Sequence, residues 1–208
     1  MECNQKNLPS DRSFEPYLPD DPYKAVQHGY VQPYADSPLD DEQVGEEVYI
    51  SMANKAEHYC WFITPYLIIT DELSHALSLA AKRGVDVRII TPGIPDKKMV
   101  YVLPALFIIS WFLAVCTFLN GLPDLPCKMS IADDRMATCG TINLDYRSLY
   151  HHFENGCFMV DCPAVMDIKH DFRHTFSQCR DVTEKYKTGL GAHLRLGQLI
   201  LRLFAQLL

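Results

Sequence analysis

The residues best suited to chemistry in this sequence lie within one short stretch, from position 126 to position 154. Lys128 is followed by Asp133, by an apolar run and by the loop Gly140-Thr141-Ile142-Asn143. Lysine carries a compact positive charge, while a hydroxyl, an amide and the backbone N–H groups of a glycine loop can surround the oxygens of an anion. The pattern indicates a hairpin whose far end binds phosphate. An ordinary β-hairpin with polar surface residues would have the same pattern.

The same stretch resembles the HKD motif of the phospholipase D superfamily. In that motif histidine, one residue, lysine, four residues and aspartate lead into a Gly-x-x-Asn loop. The segment GTINLDYRSLYHHFENG resembles, more narrowly, the second motif of bacterial cardiolipin synthases. The resemblance covers about Tyr30 to Lys98 and Lys128 to Arg180. At the position of the motif histidine, two residues before Lys128, this sequence has Pro126.

The resemblance implies a role for each residue of the motif. Lys128 and Asn143 correspond to the phosphate contacts, with Thr141 as a hydroxyl donor beside them. Asp133 corresponds to the motif aspartate, more plausibly a structural ion-pair partner than a proton carrier. Glu154 corresponds to the acid that hydrogen-bonds the histidine ring and holds its tautomer. Lys128, Asp133, Asn143 and Glu154 are therefore the expected catalytic residues, and Lys128, Thr141 and Asn143 the expected phosphate-binding residues.

Phosphodiester exchange in that superfamily is understood as a two-step reaction. One histidine attacks phosphorus to give a phosphohistidine, a histidine of a second motif protonates the leaving alcohol, and an acceptor hydroxyl resolves the intermediate. Pro126 has no titratable group and only one motif is present, so we expect a phosphate cradle without a reactive centre. His151 and His152 lie close to Glu154 in sequence and could be considered as replacements for the motif histidine. We do not expect either to replace it, because a reacting nitrogen that is displaced by even about 1 Å loses most of its rate advantage.

The function implied by the resemblance is that of the C-terminal half of a bacterial cardiolipin synthase, an enzyme of phospholipid biosynthesis. Its reaction transfers a phosphatidyl group from one phosphatidylglycerol to another and releases glycerol, with no metal or organic cofactor. Because the motif histidine is absent, we expect the isolated chain to be inactive and its partner to be a missing N-terminal half or a second copy. We expect it at the cytoplasmic side of the cell membrane. The alternative is a non-catalytic, membrane-associated partner that binds lipid phosphate.

The elements that must hold this stretch follow a β-α-β order. A proline and acidic residues, followed by apolar residues at helical spacing, predict a helix over Leu39–His58. The apolar, aromatic run Tyr59–Thr64 predicts a buried strand. Thr70 can cap a second helix that ends at Gly84, and Val85–Ile90 is then the next strand.

A further strand over Gly156–Val160 and an amphipathic helix from Pro163 to Arg180 complete the expected domain. These elements indicate an α/β fold with a mixed, largely parallel sheet flanked by helices, because buried apolar strands are typical of parallel sheets. The resemblance implies one half of a two-lobed arrangement. His170 and His174 share a helix face, but no third ligand is identifiable, so no metal site is expected.

The segment from 99 to 120 is anomalous, because its twenty-two residues carry no charge. It is long enough to cross about 30 Å of hydrocarbon, with Lys97 and Lys98 marking a cytoplasmic flank. The resembled enzymes have a soluble helix and strand here, and a membrane span would divide one sheet between the two sides of a bilayer. Compensating frame slips near Val102 and Cys127 would explain both this segment and Pro126, a hypothesis that resequencing the gene tests.

The expected domain, 35–182, is interrupted by the apolar segment at 99–127 and has a segment on each side. Residues 1–34 are rich in Pro, Asp and Tyr and predict an extended leader or linker, or a disordered tail. Residues 183–208 predict an amphipathic C-terminal helix that lies in a membrane interface or docks on the domain or a missing half.

Composition limits the classes of function. The formal net charge of −7 and the pI near 5.5 argue against a nucleic-acid partner, and so against a dimeric nuclease, because bulk electrostatic binding of nucleic acid needs a basic face. The eight cysteines contain no CxxC pair, which predicts free, mostly buried thiols in a reducing compartment. The polar N-terminus argues against a signal peptide.

Overall fold

The structure, a computed structural model, describes residues 27–40, 42–92, 116–121 and 127–184. These residues form a large mixed sheet with helices on both faces and a second sheet of two short strands. In chain order the elements are β1 Tyr30–Asp36, α1 Val44–Lys55, β2 Tyr59–Ile63, β3 Leu67–Ile68, α2 Asp71–Lys82, β4 Asp86–Pro92, β5 Thr117–Gly121, β6 Met129–Ala132, β7 Met136–Gly140, β8 Leu144–Asp145, α3 Tyr146–Tyr150, β9 Glu154–Val160, α4 Pro163–Gln178 and β10 Arg180–Asp181.

The large sheet has the strand order β1-β9-β7-β6-β2-β4-β5-β10. Its mixed α/β character is confirmed, but the expectation of a largely parallel sheet was wrong. Within the described residues, five of its seven strand pairings are antiparallel, and only β2–β4 and β4–β5 are parallel. The strands after position 127 are also apolar and buried, and the tight turn between β6 and β7 forces an antiparallel pair.

The β2-α2-β4 unit confirms the capping signals in the sequence. The Thr70 hydroxyl accepts the N–H of Leu73 at 3.1 Å, which satisfies one of the free donors at the start of α2. Gly84 has φ +97°, the left-handed conformation with which a helix often ends. Helix α2 then returns the chain to β4, which pairs in parallel with β2.

Helix α1 is shorter than the predicted helix over Leu39–His58. It begins at Val44, because short polar side chains hold the preceding residues in local turns. The Ser37 hydroxyl accepts the N–H of Leu39 at 3.2 Å, and the Asp40 carboxylate accepts the N–H of Glu42 at 3.3 Å.

Strands β6 and β7 form the hairpin that the sequence predicted. Its two turn residues, Asp133 and Asp134, have φ +53° and +61°, and the N–H of Arg135 donates to the carbonyl of Ala132 at 3.1 Å. Two consecutive positive φ values identify the turn as type I′, whose twist matches that of the flanking strands. Aspartate adopts this conformation more readily than most residues.

Two strands lie where the sequence predicted other structure. Strand β1 begins at Tyr30, inside the predicted leader 1–34, and pairs along its whole length with β9. Strand β5 takes the last residues of the apolar segment 99–120 into the sheet beside β4. Both boundaries were missed because the pairing partners lie far away in the sequence.

The core has two layers, one on each face of the sheet. Helices α1 and α2 cover one face with Met52, Leu73 and Leu77, which are fully buried against Phe62 and Ile89 of the central strands. Helix α4 covers the other face with three buried apolar residues, Val165, Ile168 and Phe172. Each face therefore has its own apolar cluster, and the sheet separates the two.

Several predictions fall on residues outside the described ranges. These are the leader up to 26, the apolar segment from 99 to 115, Pro126, and the tail from 185 to 208. Among the helices that the structure does describe, none has the length and apolar character of a membrane span. Seven of the cysteines lie in the described ranges, where they are free thiols, three buried, three half-buried and one exposed.

Candidate functional site

Lys128 lies in a row of residues that runs across four neighbouring strands. The N–H of Gly140 donates to the carbonyl of Lys128 at 3.3 Å, which extends the β6–β7 ladder by one residue. Gly140 pairs with Gly156 of β9, and Gly156 pairs with Tyr34 of β1. Because Ser130 contacts Met52 of α1, the alternation of side chains puts Lys128 on the sheet face that α1 covers.

The two glycines of this row allow neighbouring groups to lie closer than a larger residue would permit. A Cβ atom added at Gly140 would lie 2.3 Å from the carbonyl oxygen of Asn155, and one added at Gly156 would lie 2.4 Å from the Tyr34 ring. The row therefore has a lysine at one end, a buried tyrosine at the other, and no side chain between them. Burial raises the pKa of Tyr34 to about 12, so its hydroxyl stays neutral at physiological pH.

Glu154 is the centre of the loop that follows Gly140. One carboxylate oxygen accepts the Thr141 hydroxyl, and the other accepts the Ser148 hydroxyl at 2.6 Å. The Glu154 side chain is only 10% exposed. Thr141 also accepts the N–H of Asn155 at 3.0 Å, so both ends of the loop are fastened to the start of β9.

Ser148 is a site residue that the motif comparison missed. Its hydroxyl accepts the N–H of Asn143 at 2.9 Å while it donates to Glu154, and its own N–H donates to Asp145 at 2.9 Å. Asp145 is the N-cap of α3, which lies between the loop and Glu154. An aspartate three residues before a serine is a cap signal in the sequence, and it could have indicated this helix start.

The Asn143 side chain is also held by α3. Its amide donates to the Asp145 carboxylate, while its Oδ1 atom is buried and has no hydrogen-bond partner among the described residues. Burial raises the pKa of Asp145, and the N–H groups of Ser148 and Arg147 oppose that rise. Asn143 is therefore fixed at the predicted position, with its amide engaged inside the protein.

The backbone N–H groups of the loop do not behave as the sequence suggested. Those of Gly140, Thr141 and Asn143 donate to Lys128, Asn155 and Ser148, and that of the following residue, Leu144, donates to Thr64 at 3.1 Å. The Thr141 hydroxyl, a predicted phosphate donor, donates to Glu154. Three of the four loop N–H groups thus have partners within the protein, so side chains near the loop are the main source of donors and positive charge for an anion.

Asp133 lies at the opposite end of the hairpin from Lys128, about 16 Å away at the usual rise of a strand. Its carboxylate accepts the N–H groups of Glu57, His58 and Tyr59 at 2.6, 2.9 and 2.8 Å. These bonds join the turn to the start of β2. The partners of Asp133 are thus backbone amides rather than the cation expected from the motif, and its role here is structural.

Two histidines lie between α3 and β9. His152 is 45% exposed, and its Nδ1 atom lies 3.5 Å from Glu154 Oε1, while its Nε2 atom lies 3.5 Å from a guanidinium nitrogen of Arg147. His151 is exposed, and its N–H donates to the carbonyl of Arg147 at 2.9 Å. The carboxylate expected to orient the motif imidazole therefore has a different imidazole beside it.

Buried contacts fix the loop and α3 against the rest of the domain. The Tyr49 hydroxyl donates to the carbonyl of Ile142 at 3.0 Å. On the far side of α3, the buried Glu46 carboxylate accepts the hydroxyls of Thr70 and Tyr150, the latter at 2.6 Å. Helices α1, α2 and α3 are thereby linked through one carboxylate.

No group of three or more potential metal ligands occurs within the described part of the chain. His174 of α4 has a partner of another kind, since its Nε2 atom lies 2.7 Å from the Gln178 amide. The candidate site contains lysine, guanidinium, imidazole and carboxylate groups. Such a set can bind a phosphodiester anion and exchange protons with it.

A family described as "Cardiolipin synthase, PLD-like domain" matches residues 49–178 of the chain. A protein of Streptococcus mutans described as uncharacterized is 46% identical over 199 residues, which cover 95% of this chain and 43% of that protein. Cardiolipin synthase A of Pseudomonas putida is 28% identical over 215 residues, which cover 100% of this chain and 44% of the enzyme. The chain thus spans less than half the length of these relatives.

Among solved structures, the fold is similar to that of Nuc from Salmonella typhimurium, described as a phospholipase D family member. The TM-score is 0.59, and the match covers 74% of this chain and 98% of Nuc. At 18% identity this likeness concerns the fold alone. The mixed sheet and its helices therefore have a counterpart of known structure.

Proposed function

Because the chain belongs to the cardiolipin synthase, phospholipase D-like domain family, we propose that it carries one motif of a phosphatidyltransferase. The reaction we propose for the whole enzyme transfers a phosphatidyl group from one phosphatidylglycerol to the terminal hydroxyl of another. One P–O bond breaks and one forms, and glycerol leaves with the proton of the attacking hydroxyl. The products are cardiolipin and glycerol, and no metal or organic cofactor takes part.

The observation that best supports this proposal is that motif residues separated in the sequence lie at the same end of strands β6, β7 and β9. Thr141 and Ser148 share the Glu154 carboxylate, and Ser148 also holds Asn143. Lys128 lies one strand away, in the row that contains Gly140. A lysine beside a rigid loop, with the next two positions of the row toward β1 occupied by glycine, suits a phosphodiester because bulky side chains there would obstruct its oxygens.

We propose that this chain alone does not turn over lipid. Position 126, which corresponds to the motif histidine, is proline, and proline has no group that can attack phosphorus or move a proton. The chain also contains one motif where the reaction needs two. A polypeptide with an intact motif, such as a missing N-terminal half, would have to supply the reacting imidazole. A second copy of the chain is the other candidate partner, but it would supply a second Lys128 and Asn143 and no motif histidine.

A second candidate function is non-catalytic binding of lipid phosphate at a membrane surface, on its cytoplasmic side. Phe153 directly precedes Glu154 and is 70% exposed. Tyr66, in the loop beside the Thr64–Leu144 hydrogen bond, is 40% exposed. Exposed aromatic rings are typical of a surface that rests in a lipid interface.

Labelled phosphatidylglycerol vesicles test the proposed inactivity of the chain alone. The purified full chain and its Lys128→Ala variant are incubated with the vesicles, and the lipids are resolved by thin-layer chromatography. We expect no labelled cardiolipin from either protein, and we expect the unaltered chain to float with the vesicles more than the variant does. Labelled cardiolipin formed by the chain alone, and lost in the variant, would refute the proposed inactivity.

Adding a partner polypeptide tests the proposed phosphatidyltransferase function directly. The chain is mixed with a polypeptide that carries the N-terminal motif of a related cardiolipin synthase, and product formation is followed over time. Product formation that depends on Lys128 supports the proposal that this chain carries one motif of a phosphatidyltransferase. Vesicle binding without product, under every combination, supports the lipid-binding partner.

A further inference from the structure

Arg147 and His152 meet at the surface directly beside the candidate phosphate loop. A guanidinium nitrogen of Arg147 lies 3.5 Å from His152 Nε2, and His152 Nδ1 lies 3.5 Å from Glu154 Oε1. Arg147 and His152 are both exposed, whereas Glu154 is nearly buried. The carboxylate thus holds the inner nitrogen of the ring and leaves the outer nitrogen to Arg147 and the solvent.

Both side chains can donate to an anion. Arginine carries only N–H donors, and an imidazole donates from whichever ring nitrogen carries the proton. The outer side of the pair therefore suits an acceptor such as a phosphate oxygen.

The position of this pair follows from shared partners. Glu154, which contacts His152, also accepts the Thr141 hydroxyl. Burial raises the pKa of Asp145, and the nearby His152 partly opposes that rise. Asp145 also binds the Asn143 amide. His152 is therefore adjacent to both ends of the loop, and Glu154, Asp145 and Arg147 are the charged groups that face it.

We propose that Arg147 and His152 form a second anion subsite that binds a phosphodiester group. This inference rests on the proposed function. The reaction joins two phosphatidylglycerol molecules, each with its own phosphodiester, but only the donor phosphodiester reacts. The acceptor phosphodiester keeps its charge throughout, and it remains close to the reacting phosphorus because one glycerol unit separates them.

The subsite suits that second phosphate for two reasons. A guanidinium and an imidazolium give two charge-assisted hydrogen bonds, which are stronger than bonds from neutral donors. Three of the four loop N–H groups have partners within the protein, so nearby side chains are the main source of donors for an anion. Beyond Lys128, Arg147 provides a positive charge and His152 provides a further donor beside it.

Two soluble headgroups distinguish one subsite from two. Glycerophosphoglycerol, the deacylated headgroup of phosphatidylglycerol, has one phosphodiester, and 1,3-bis(glycerophospho)glycerol, that of cardiolipin, has two. The affinity of the full chain for each is measured by calorimetry, together with Lys128→Ala, Arg147→Gln and His152→Gln. The matched controls are Arg173→Gln and His151→Gln, which alter an exposed arginine on α4 and the adjacent histidine.

We expect the unaltered chain to bind the two-phosphate headgroup more tightly than the one-phosphate headgroup. Arg147→Gln and His152→Gln should each weaken the two-phosphate headgroup by about tenfold, the effect of one charged hydrogen bond, and leave the one-phosphate headgroup nearly unchanged. Both controls should bind as the unaltered chain does. The Lys128→Ala variant should lose affinity for both headgroups.

Each alternative result has a separate meaning. Normal binding of the two-phosphate headgroup by Arg147→Gln and His152→Gln would overturn the second subsite while leaving the proposed function intact. Unchanged binding of both headgroups by Lys128→Ala would overturn the proposed function itself.

Discussion

At the scale of single residues, Ser148 links the loop to the sheet. It is a small, buried hydroxyl that accepts from Asn143 and donates to Glu154 at the same time. Both partners lie within six positions in the sequence. The geometry of the loop therefore depends on one oxygen atom, and removing it leaves a donor and an acceptor unsatisfied on either side.

Replacement of this serine tests its structural weight. We expect Ser148→Ala to lower the free energy of unfolding by about 1–3 kcal/mol, the usual cost of a buried polar group that loses its partner. Chemical denaturation followed by circular dichroism measures the change. Ser177→Ala, which removes an exposed hydroxyl of α4, should change stability by less than about 0.5 kcal/mol. Equal losses in the two variants would contradict the role given to Ser148.

Asp145 predicts a dependence of stability on pH. Because burial raises its pKa in the folded chain, the folded state binds more protons than the unfolded state above about pH 4. Its contribution to stability therefore falls as the pH rises through this window. Asparagine caps a helix as well as aspartate does but does not titrate. The stability of Asp145→Asn relative to the unaltered chain should thus increase from pH 3.5 upward and then level off. Denaturant midpoints across the pH series measure it, and a relative stability that decreases would disprove the assignment.

At the scale of elements, the two ends of the β6–β7 hairpin have different roles. Its open end carries Lys128 and the loop, and its turn carries Asp133, which binds three backbone N–H groups before β2. The turn fixes where β6 lies against β2, and so it fixes where Lys128 lies. Asp133 thereby influences the site indirectly, because it fixes the position of β6.

Three substitutions at this turn separate its hydrogen bonds from its backbone conformation. Asp133→Ala should destabilise the fold by about 2–4 kcal/mol, since three amides lose an acceptor. Asp133→Gly should lose the same bonds but be about 1 kcal/mol more stable than the alanine variant, because glycine adopts positive φ freely. Asp133→Asn should retain most of the stability. Thermal unfolding ranks the three.

The same variants test whether Asp133 takes part in binding. Well below their melting temperatures, all three should bind glycerophosphoglycerol with the affinity of the unaltered chain. A selective loss of affinity in a fully folded Asp133→Asn variant would show that the residue acts at the site after all.

Local signals in the sequence predicted the elements better than their arrangement. The Thr70 cap, the Gly84 helix end and the turn at Asp133 and Asp134 depend on residues a few positions apart, so the sequence displays them directly. Strand direction depends on which distant segment lies alongside. The apolar run of β2 has a parallel neighbour on one side and an antiparallel neighbour on the other, and its composition is the same toward both.

The candidate site divides in the same way. The motif spacing proposed Lys128, Asn143 and Glu154 as site residues, and a hairpin and a loop of fixed length place them at the same end of neighbouring strands. It could not show that three loop N–H groups have partners within the protein, because hydrogen bonds within a loop leave no pattern in the sequence. It also could not show that Asp133 binds the backbone before β2, because Glu57 lies 76 positions away.

At the scale of the whole molecule, β1 shows that the domain extends into the predicted leader. Tyr34 is buried over Gly156, and the Asp36 carboxylate accepts the N–H of Gly45 in α1 at 2.8 Å. Strand β1 also covers the outer edge of β9, the strand that begins with Glu154. The site consequently depends on residues that precede the family match at residue 49.

Two truncations measure this dependence. A chain that lacks residues 1–36 should be less stable than one that lacks residues 1–26 by at least about 3 kcal/mol, since burial of Tyr34 alone contributes about 2–3 kcal/mol. Comparing two truncated chains cancels whatever residues 1–26 contribute. Urea denaturation gives the difference, and hydrogen exchange at β9 should be faster in the shorter chain. Equal stability would mean that β1 adds nothing to the domain.

The alignment of Lys128, Gly140, Gly156 and Tyr34 also limits how such a chain can diverge. Inserting or deleting one residue in any of these strands would shift its neighbours by about 3.3 Å and turn each following side chain to the opposite face. Substitutions leave the spacing intact, whereas a single indel would move the lysine away from the glycines. Among homologues, the number of residues between these positions should therefore vary far less than the identities of the residues themselves.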